Sequence, residues 1–291
     1  MRRKLSEKFS FRCSPRGIAV GVMLFGLIAP PVRADDMTGD AKTVTTSSGW
    51  HFSLQQYAWA FGLYGKAGTR GHAANVSTSF IDSLQNSDTL LGLEAHAEAQ
   101  YDRFGLFLDG TYIVLKSSYH NDVADGDVAQ KIGFGEIGGF YRVIEDSPLW
   151  SPSAQFGGGT ITIDALGGAR YTSLDLDADA SLNAQGQSFK RHFNGRRDWV
   201  DPFIGGRLLL RLTEKVDFIM RGDIGGFGVG SDFAWNTQAL LGYHFTLGSA
   251  IGEAWAGYRA MGQDYESGSG NNAFKWNMVY RGPIIGFTAR W

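Results

Sequence analysis

Apolar and polar side chains alternate along this chain with a period of two residues. The alternation has no exception from Leu91 to Tyr101, where leucine, alanine and tyrosine share one face of a strand and polar residues or glycine share the other. A helix would spread Glu94, His96 and Glu98 around its circumference among the apolar residues, so the pattern predicts a strand. The helical propensity of alanine and glutamate is a weaker preference than this pattern.

The same alternation recurs ten times, in segments of ten or more residues. One face of each segment carries bulky apolar side chains that end in aromatics, whereas the other carries Glu, Asp and Arg beside many glycines. This predicts an all-β fold, a closed antiparallel transmembrane β-barrel of about ten strands (eight or twelve being the neighbouring possibilities), with lipid outside and a polar interior. The expected strands are 50–66, 89–101, 104–116, 129–143, 160–175, 198–212, 216–227, 233–245, 251–263 and 274–291.

The predicted connections differ in length between the two ends of the barrel. Long loops are expected after the first, third and fifth strands, at 67–87, 117–128 and 176–197, and Ser79 is a possible cap for one or two helical turns in the first of them. Short connections follow the second, sixth and eighth strands. Long loops at one end and short turns at the other are typical of outer-membrane barrels.

The beginning of the chain has the pattern of an export signal. A basic segment, 1–16, precedes an apolar run, 17–29, and then small or apolar residues at Val32 and Ala34. We therefore interpret 1–34 as a signal peptide, 35–48 as a periplasmic lead-in and 49–291 as the barrel. Cys13, the single cysteine, falls in the signal, so disulfide chemistry is not expected in the mature chain.

Composition narrows the class of partner. Removing residues 1–34 takes away seven basic residues and one acidic residue, which leaves 20 basic against 28 acidic residues and a net charge of −8. That charge argues against a nucleic-acid partner, and no cofactor is expected. An aromatic content of 13% suits two membrane interfaces. The aromatics expected to face outward there are Trp59, Tyr101, Tyr112, Tyr141, Tyr171, Trp235, Tyr243 and Tyr258.

Several motifs in the second half of the chain carry a family resemblance. They are Asp198-Trp-Val-Asp-Pro-Phe-Ile-Gly-Gly-Arg207, the glycine-rich run from Arg221 to Asp232, Gly257-Tyr-Arg259, and Gly282 to Trp291. Together they resemble a family of proteobacterial outer-membrane β-barrel proteins of the outer-membrane protein A-like transmembrane type. The resemblance implies the barrel fold, a location in the outer membrane and lipid as a partner, and it carries over no catalytic motif.

The C-terminus also resembles an assembly signal. Ile285, Phe287, Ala289 and Trp291 share one face of the last predicted strand. This pattern is similar to the C-terminal signal by which outer-membrane barrels are recognised, which implies the barrel-assembly machinery as a partner.

Charged residues on the predicted inward faces form the main candidate site. Both signs occur in similar number, and buried charges persist only when they are paired, so a lumen network of ion pairs is predicted. In it we expect Glu94, His96 and Glu98 to meet Arg170, Arg207 and Arg221. The full set is Glu94, His96, Glu98, Asp109, Glu136, Asp164, Arg170, Asp201, Arg207, Arg211, Arg221, Asp223 and Arg259.

A metal site at Glu94, His96 and Glu98 is the alternative interpretation of that strand. Alternate residues of one strand lie about 6.6 Å apart, so three ligands on one ion would require bending or ligands from neighbouring strands.

The function expected from these features is a structural or narrow-pore outer-membrane protein. Two alternatives remain open. One is an outer-membrane hydrolase in which Asp201, Asp223 and His244 activate a water molecule. The other is a surface adhesin that acts through the long loops. The run from Gly225 to Gly230 opens no predicted helix, so hairpin geometry explains it better than a phosphate loop does.

Overall fold

The structure, a computed structural model, describes residues 19–22, 49–69, 72–81, 89–120, 124–148, 159–184, 187–247 and 250–291. Within them lie thirteen strands and a short 3-10 helix, Gly270–Asn272. The strands are β1 (Ala19–Val22), β2 (Trp50–Trp59), β3 (Gly62–Thr69), β4 (His72–Thr78), β5 (Thr89–Tyr101), β6 (Phe104–His120), β7 (Ala124–Pro148), β8 (Thr160–Ala184), β9 (Gln187–Arg211), β10 (Val216–Gly225), β11 (Phe233–Leu247), β12 (Ala250–Ser267) and β13 (Phe274–Arg290).

Strand pairing closes the sheet into a barrel. From β5 to β13 each strand pairs antiparallel with the next, β13 pairs with both β2 and β3, and β2 pairs with β5. Since β2 and β3 form one wall strand interrupted at Ala60 and Phe61, the wall has ten strands, and the predicted ten-stranded closed barrel is confirmed. Two strands are additional, because β1 pairs parallel with the start of β5 and β4 pairs with β3.

The predicted signal peptide and lead-in lie outside the described residues, apart from the four residues of β1, and remain predictions. No helix among the residues that the structure describes is both long enough and apolar enough to span a bilayer.

All three segments predicted to be long loops contain strand among their described residues. The segment 176–197 was expected to be the longest loop, but β8 and β9 continue through it in register, from Thr160 opposite Arg211 to Ala184 opposite Gln187. Likewise β6 runs on to His120, and β4 occupies part of 67–87. Strand pairing is made by backbone hydrogen bonds, so the polar composition of these segments does not exclude strands. The tight turn at Asp102 and Arg103 is present, with Asp102 in the left-handed region at φ 52°.

The outer face of the barrel is strongly apolar. Leu106, Leu108, Ile137, Ile204, Leu241 and Ile285 are 54–67% exposed. Six of the aromatics expected to face outward are also exposed, namely Tyr101, Tyr112, Tyr141, Tyr171, Tyr243 and Tyr258. Trp235 is half-buried and lies over Gly262 of the adjacent strand.

Trp59 corrects the expected set of outward aromatics, because only 2% of it is exposed. It points into the lumen with Tyr57 and Phe61. The alternate residues in this segment are Ala58, Ala60 and other small or uncharged residues. Neither face therefore carried a charge that would identify it as the inner one.

The interior of the barrel has two layers. We call the end with Trp50, Trp291 and the turns 102–103 and 212–215 the lower end, and the end with the turns 226–232 and 268–273 the upper end. The sequence predicts a polar interior throughout, and charged residues do fill the middle part and line the lower part. The upper part is instead closed by an apolar cluster with the completely buried Ile132, Met261, Met278 and Tyr280.

Large inward rings lie over glycines directly opposite them on the neighbouring strand. Phe107 faces Gly138, and Gly105 faces Phe140. A Cβ added at Gly105 would lie 2.1 Å from the Phe140 ring, and one added at Gly138 would lie 2.5 Å from the Phe107 ring. The absence of a side chain at these glycines gives the rings space to lie flat against the wall.

Candidate functional site in the barrel lumen

The central part of the predicted network is a ring of four completely or almost completely buried side chains. Arg170 donates from Nε to Glu136 Oε1 and from Nη2 to Asp223 Oδ1, both at 2.7 Å. Arg221 donates from Nη2 to Glu136 Oε2 at 2.7 Å and to Asp223 Oδ2 at 3.2 Å. These residues come from β7, β8 and β10, and β10 is not adjacent to β7 or β8, so the contacts cross the lumen.

Arg259 extends this ring toward the opposite wall. Its Nη2 lies 3.6 Å from Glu136 Oε1, and its Nη1 lies 3.7 Å from Asp109 Oδ1. Its Nε donates to Asn236 Oδ1 at 3.0 Å, and the guanidinium covers the Trp59 ring at 4.8 Å. Glu136 therefore lies close to three guanidinium groups, which compensates for its removal from water.

A second group of charges lies below the ring. Arg207 donates from Nε and Nη2 to Asp164 Oδ2, at 3.0 and 2.9 Å, and from Nη1 to Glu98 Oε1. His96 lies between two carboxylates, with Nε2 2.9 Å from Glu98 Oε1 and Nδ1 3.1 Å from Asp109 Oδ2. An imidazole donates from both nitrogens only when it is protonated, so this arrangement favours a cationic His96.

Only one of the three arginines expected to meet Glu94, His96 and Glu98 does so. Glu98 meets Arg207, whereas Arg170 and Arg221 meet Glu136 and Asp223. Glu94 Oε1 accepts the backbone N–H of Trp59 at 2.9 Å, at the point where the wall strand is interrupted. Since Glu94 is bound there and His96 bridges two other carboxylates, the three side chains suggested as metal ligands do not converge on one point.

Two further members of the predicted set lie apart from the network. Asp201 accepts the backbone N–H of Ser231 at 2.6 Å and its hydroxyl at 2.8 Å, so it stabilises the turn between β10 and β11. The glycine-rich run belongs to this turn, in which Gly226 has φ 86° and Gly228 has φ 74°. Arg211 lies at the lower rim with its side chain 55% exposed, and its Nε is 3.5 Å from Asp217 Oδ1.

The three residues of the hydrolase hypothesis lie in separate contact groups. His244 Nε2 lies 2.7 Å from Asp217 Oδ2, whereas Asp223 is bound by Arg170 and Arg221. Asp217 and Asp223 are six residues apart on β10, which corresponds to about 20 Å. The structure therefore does not bring His244 together with Asp201 and Asp223.

Aromatic rings under the guanidinium groups were missed by the sequence analysis. The Arg170 guanidinium lies 5.0 Å from the Phe203 ring centre, that of Arg221 lies 5.2 Å from Phe107, and that of Arg207 lies 4.6 Å from Phe140. Such contacts favour a desolvated cation. The sequence could have predicted that these rings face inward. Each phenylalanine lies an even number of residues from a predicted inward acid on its own strand, as Phe107 does from Asp109, and such residues share one face.

Below the charges, the lumen opens into a cavity of about 620 Å³ toward the lower end. His96, Glu98, Arg207, His244, Glu253 and Arg290 contribute to its wall. The charged groups therefore form the roof of a water-accessible chamber, with the apolar cluster above them.

Comparisons with known proteins gave structural neighbours only. No protein-family model matches the chain, and no curated protein matches it. Ail of Yersinia pestis, solved with the heparin analogue sucrose octasulfate, is 11% identical, with 84% of this chain and 100% of that chain covered and a TM-score of 0.31. Neisserial surface protein A is 13% identical, with 82% and 97% covered and a TM-score of 0.24. The toluene transporter TodX of P. putida is 12% identical, with 84% and 90% covered and a TM-score of 0.25.

Proposed function

We propose that this chain is an integral outer-membrane barrel whose own side chains close the lumen, with a structural rather than a channel role. The apolar outer face supports the membrane location. Ile137, Ile204 and Leu241 are each more than half exposed on the closed barrel, and none of the described elements covers them. A band of such side chains, with tyrosines among them, is unfavourable in water and suits lipid.

The C-terminal strand supports recognition by the barrel-assembly machinery. Ile285 is 61% exposed and Trp291 is 42% exposed, and Phe287, between them, is half-buried. The three side chains are therefore placed along the outer side of the last wall strand, where an assembly factor could contact them.

Two observations support a closed lumen. Arg170 is completely buried, and ion pairs cross the barrel. Because these pairs join β8 to β10 and β7 to both β10 and β12, they occupy the centre of the lumen rather than one wall. The completely buried Tyr280 and Met261 fill the layer above. An ion that crossed the barrel would have to displace both layers, and ten-stranded barrels are only slightly wider than those filled by side chains alone.

Planar-bilayer conductance tests this proposal. Refolded wild-type chain should insert without steady current steps, since both layers block the path. Arg259→Ala, which removes the guanidinium between the central ring and Trp59, should produce brief openings, and Arg211→Ala at the exposed rim should remain silent. Stable unitary conductance in the wild type would contradict the closed lumen and favour the small-pore role.

Surface recognition is a second candidate function, favoured by the extended strands at the upper end. Strands β7, β8 and β9 continue far above the last β10 residue that pairs with β9. Asp127, Asp177 and Asp179 are exposed on this extension, and Asp127 pairs directly opposite Asp179. The direct pairing of Asp127 with Asp179 brings two exposed carboxylates together, and this favours a cationic partner.

Shortening the extension tests that second candidate. Asp175 and Arg196 are register partners, so residues between them can be replaced by a two-residue turn without disturbing the barrel. Cells that express the shortened chain should lose adhesion to cationic surfaces while the protein keeps its heat-modifiable migration. Unchanged adhesion would contradict a role for the extension in surface recognition.

A further inference from the structure

Three neighbouring strands bring one metal-ligating side chain each to the lower end of the lumen. Asp217 lies on β10, His244 on β11 and Glu253 on β12. His244 is directly opposite Glu253, and Asp217 is opposite Gly242, two residues before His244. One ligand atom from each side chain lies within 4.8 Å of the other two. Because the three ligands come from neighbouring strands, they lie closer together than the alternate residues of a single strand, which are about 6.6 Å apart.

Two carboxylate oxygens in this group have no hydrogen-bond partner among the described residues. Glu253 has only 1% of its side chain exposed, and its Oε1 is unpaired while Oε2 accepts from Arg290 Nη2 at 2.5 Å. Asp217 Oδ1 is likewise buried and accepts no hydrogen bond from the described residues, and its ion pair with the rim residue Arg211 is long, at 3.5 Å. A buried carboxylate oxygen that accepts no hydrogen bond is costly, so the arrangement favours a ligand that would satisfy these oxygens.

The distances suit a small cation after minor side-chain rotation. His244 Nε2 lies 2.7 Å from Asp217 Oδ2 and 4.0 Å from Glu253 Oε1. Zinc binds histidine nitrogen and carboxylate oxygen at about 2.0 to 2.2 Å, which places the ligand atoms of a tetrahedral site about 3.3 Å apart. The two observed distances lie on either side of that value, each within about 0.7 Å of it.

We propose that Asp217, His244 and Glu253 bind one divalent transition-metal ion, with Zn²⁺ as the best fit, and leave its remaining coordination position open to the lumen cavity. One imidazole with two carboxylates favours such an ion over Ca²⁺, which takes six to eight oxygen ligands. Asp217, His244 and Glu253 all line the cavity, so the ion has an aqueous entry path from the lower end. Arg211 is exposed enough to turn away from Asp217 into water when the ion enters.

Zinc titration of the refolded full chain in detergent, followed by calorimetry, tests the site. The wild type should bind one Zn²⁺ per chain, and Glu253→Gln, which keeps the size of the side chain, should weaken binding at least tenfold. His244→Ala should weaken it further. X-ray absorption of the zinc complex should show one nitrogen and two oxygen ligands from the protein.

A matched control comes from the other potential metal cluster. His192 lies 2.8 Å from Asp179 and 3.7 Å from Asp177 on the exposed extension, so His192→Ala removes the competing histidine. That variant should bind zinc as the wild type does. Each variant is compared only after its unheated and boiled forms migrate differently on a gel, which shows that the barrel is folded. The absence of zinc binding in the wild type, full binding in folded Glu253→Gln, or loss of binding in His192→Ala would each overturn the proposal.

Discussion

Arg207→Ala should destabilise the barrel, and the neighbouring contacts give the magnitude. Arg207 compensates two carboxylates, Asp164, which is completely buried, and Glu98, and it packs on the Phe140 ring. Removing one partner of a buried ion pair costs about 3 to 5 kcal/mol. Because Arg207 borders the lumen cavity and 14% of its side chain is exposed, we expect the lower limit, about 3 kcal/mol.

Equilibrium unfolding in urea measures this loss, and Arg211→Ala is its matched control. Arg211 faces the lumen from the same strand, but its side chain is 55% exposed and forms a long ion pair with Asp217, so its removal should cost about 1 kcal/mol or less. With a urea dependence of about 1 to 3 kcal/mol per molar, the Arg207 variant should unfold about 1 M or more earlier than the wild type. Equal midpoints for the two variants would refute the assignment of Arg207 to a buried network.

Two other predictions concern the outer face and the extension. Leu208→Arg places a charge on the outer face of β9, and if that face meets lipid as proposed, it should impair membrane assembly at a cost of about 2 to 4 kcal/mol near the midplane. The loss of heat-modifiable protein from the outer-membrane fraction measures this effect. On the extension, the hydrogen bond that His192 Nδ1 donates to Asp179 raises the pKa of His192 above its ordinary value. This pair should therefore stabilise the extension below the ordinary pKa of histidine and lose its effect as pH rises through the raised value. NMR titration should show the His192 pKa falling in Asp179→Asn, and an unchanged pKa would refute the contact.

The wall of the barrel could be predicted from the sequence because the alternation of inward and outward residues along a strand, its parity, is a local property. Inward and outward positions follow from neighbours two residues apart, so Leu208 and Asp164 were assigned to the correct faces without knowledge of any distant contact. Parity failed at Trp59, where both faces were uncharged. It also gave no indication of the β8–β9 extension, since a strand outside the apolar band has no need of an apolar face.

The contacts inside the lumen could not be predicted in the same way. Arg221 and Glu136 are 85 residues apart in the chain and lie on strands that are not adjacent. Which inward residues meet depends on the stagger between strands and on the reach of each side chain across the barrel. The candidate metal ligands were missed for a related reason, since Asp217, His244 and Glu253 each come from a different strand and become neighbours only through the register.

The pairing of rings with opposite glycines has a consequence for how this sequence can change over time. Phe140 fits only while residue 105 is glycine, and Phe107 fits only while residue 138 is glycine. A substitution that adds a side chain at one of these glycines would be tolerated if the facing ring had already become smaller. Among relatives of this chain, positions 105 and 140 should therefore vary together, as should 107 and 138, and such covariation would record the register between β6 and β7 even where overall identity has been lost.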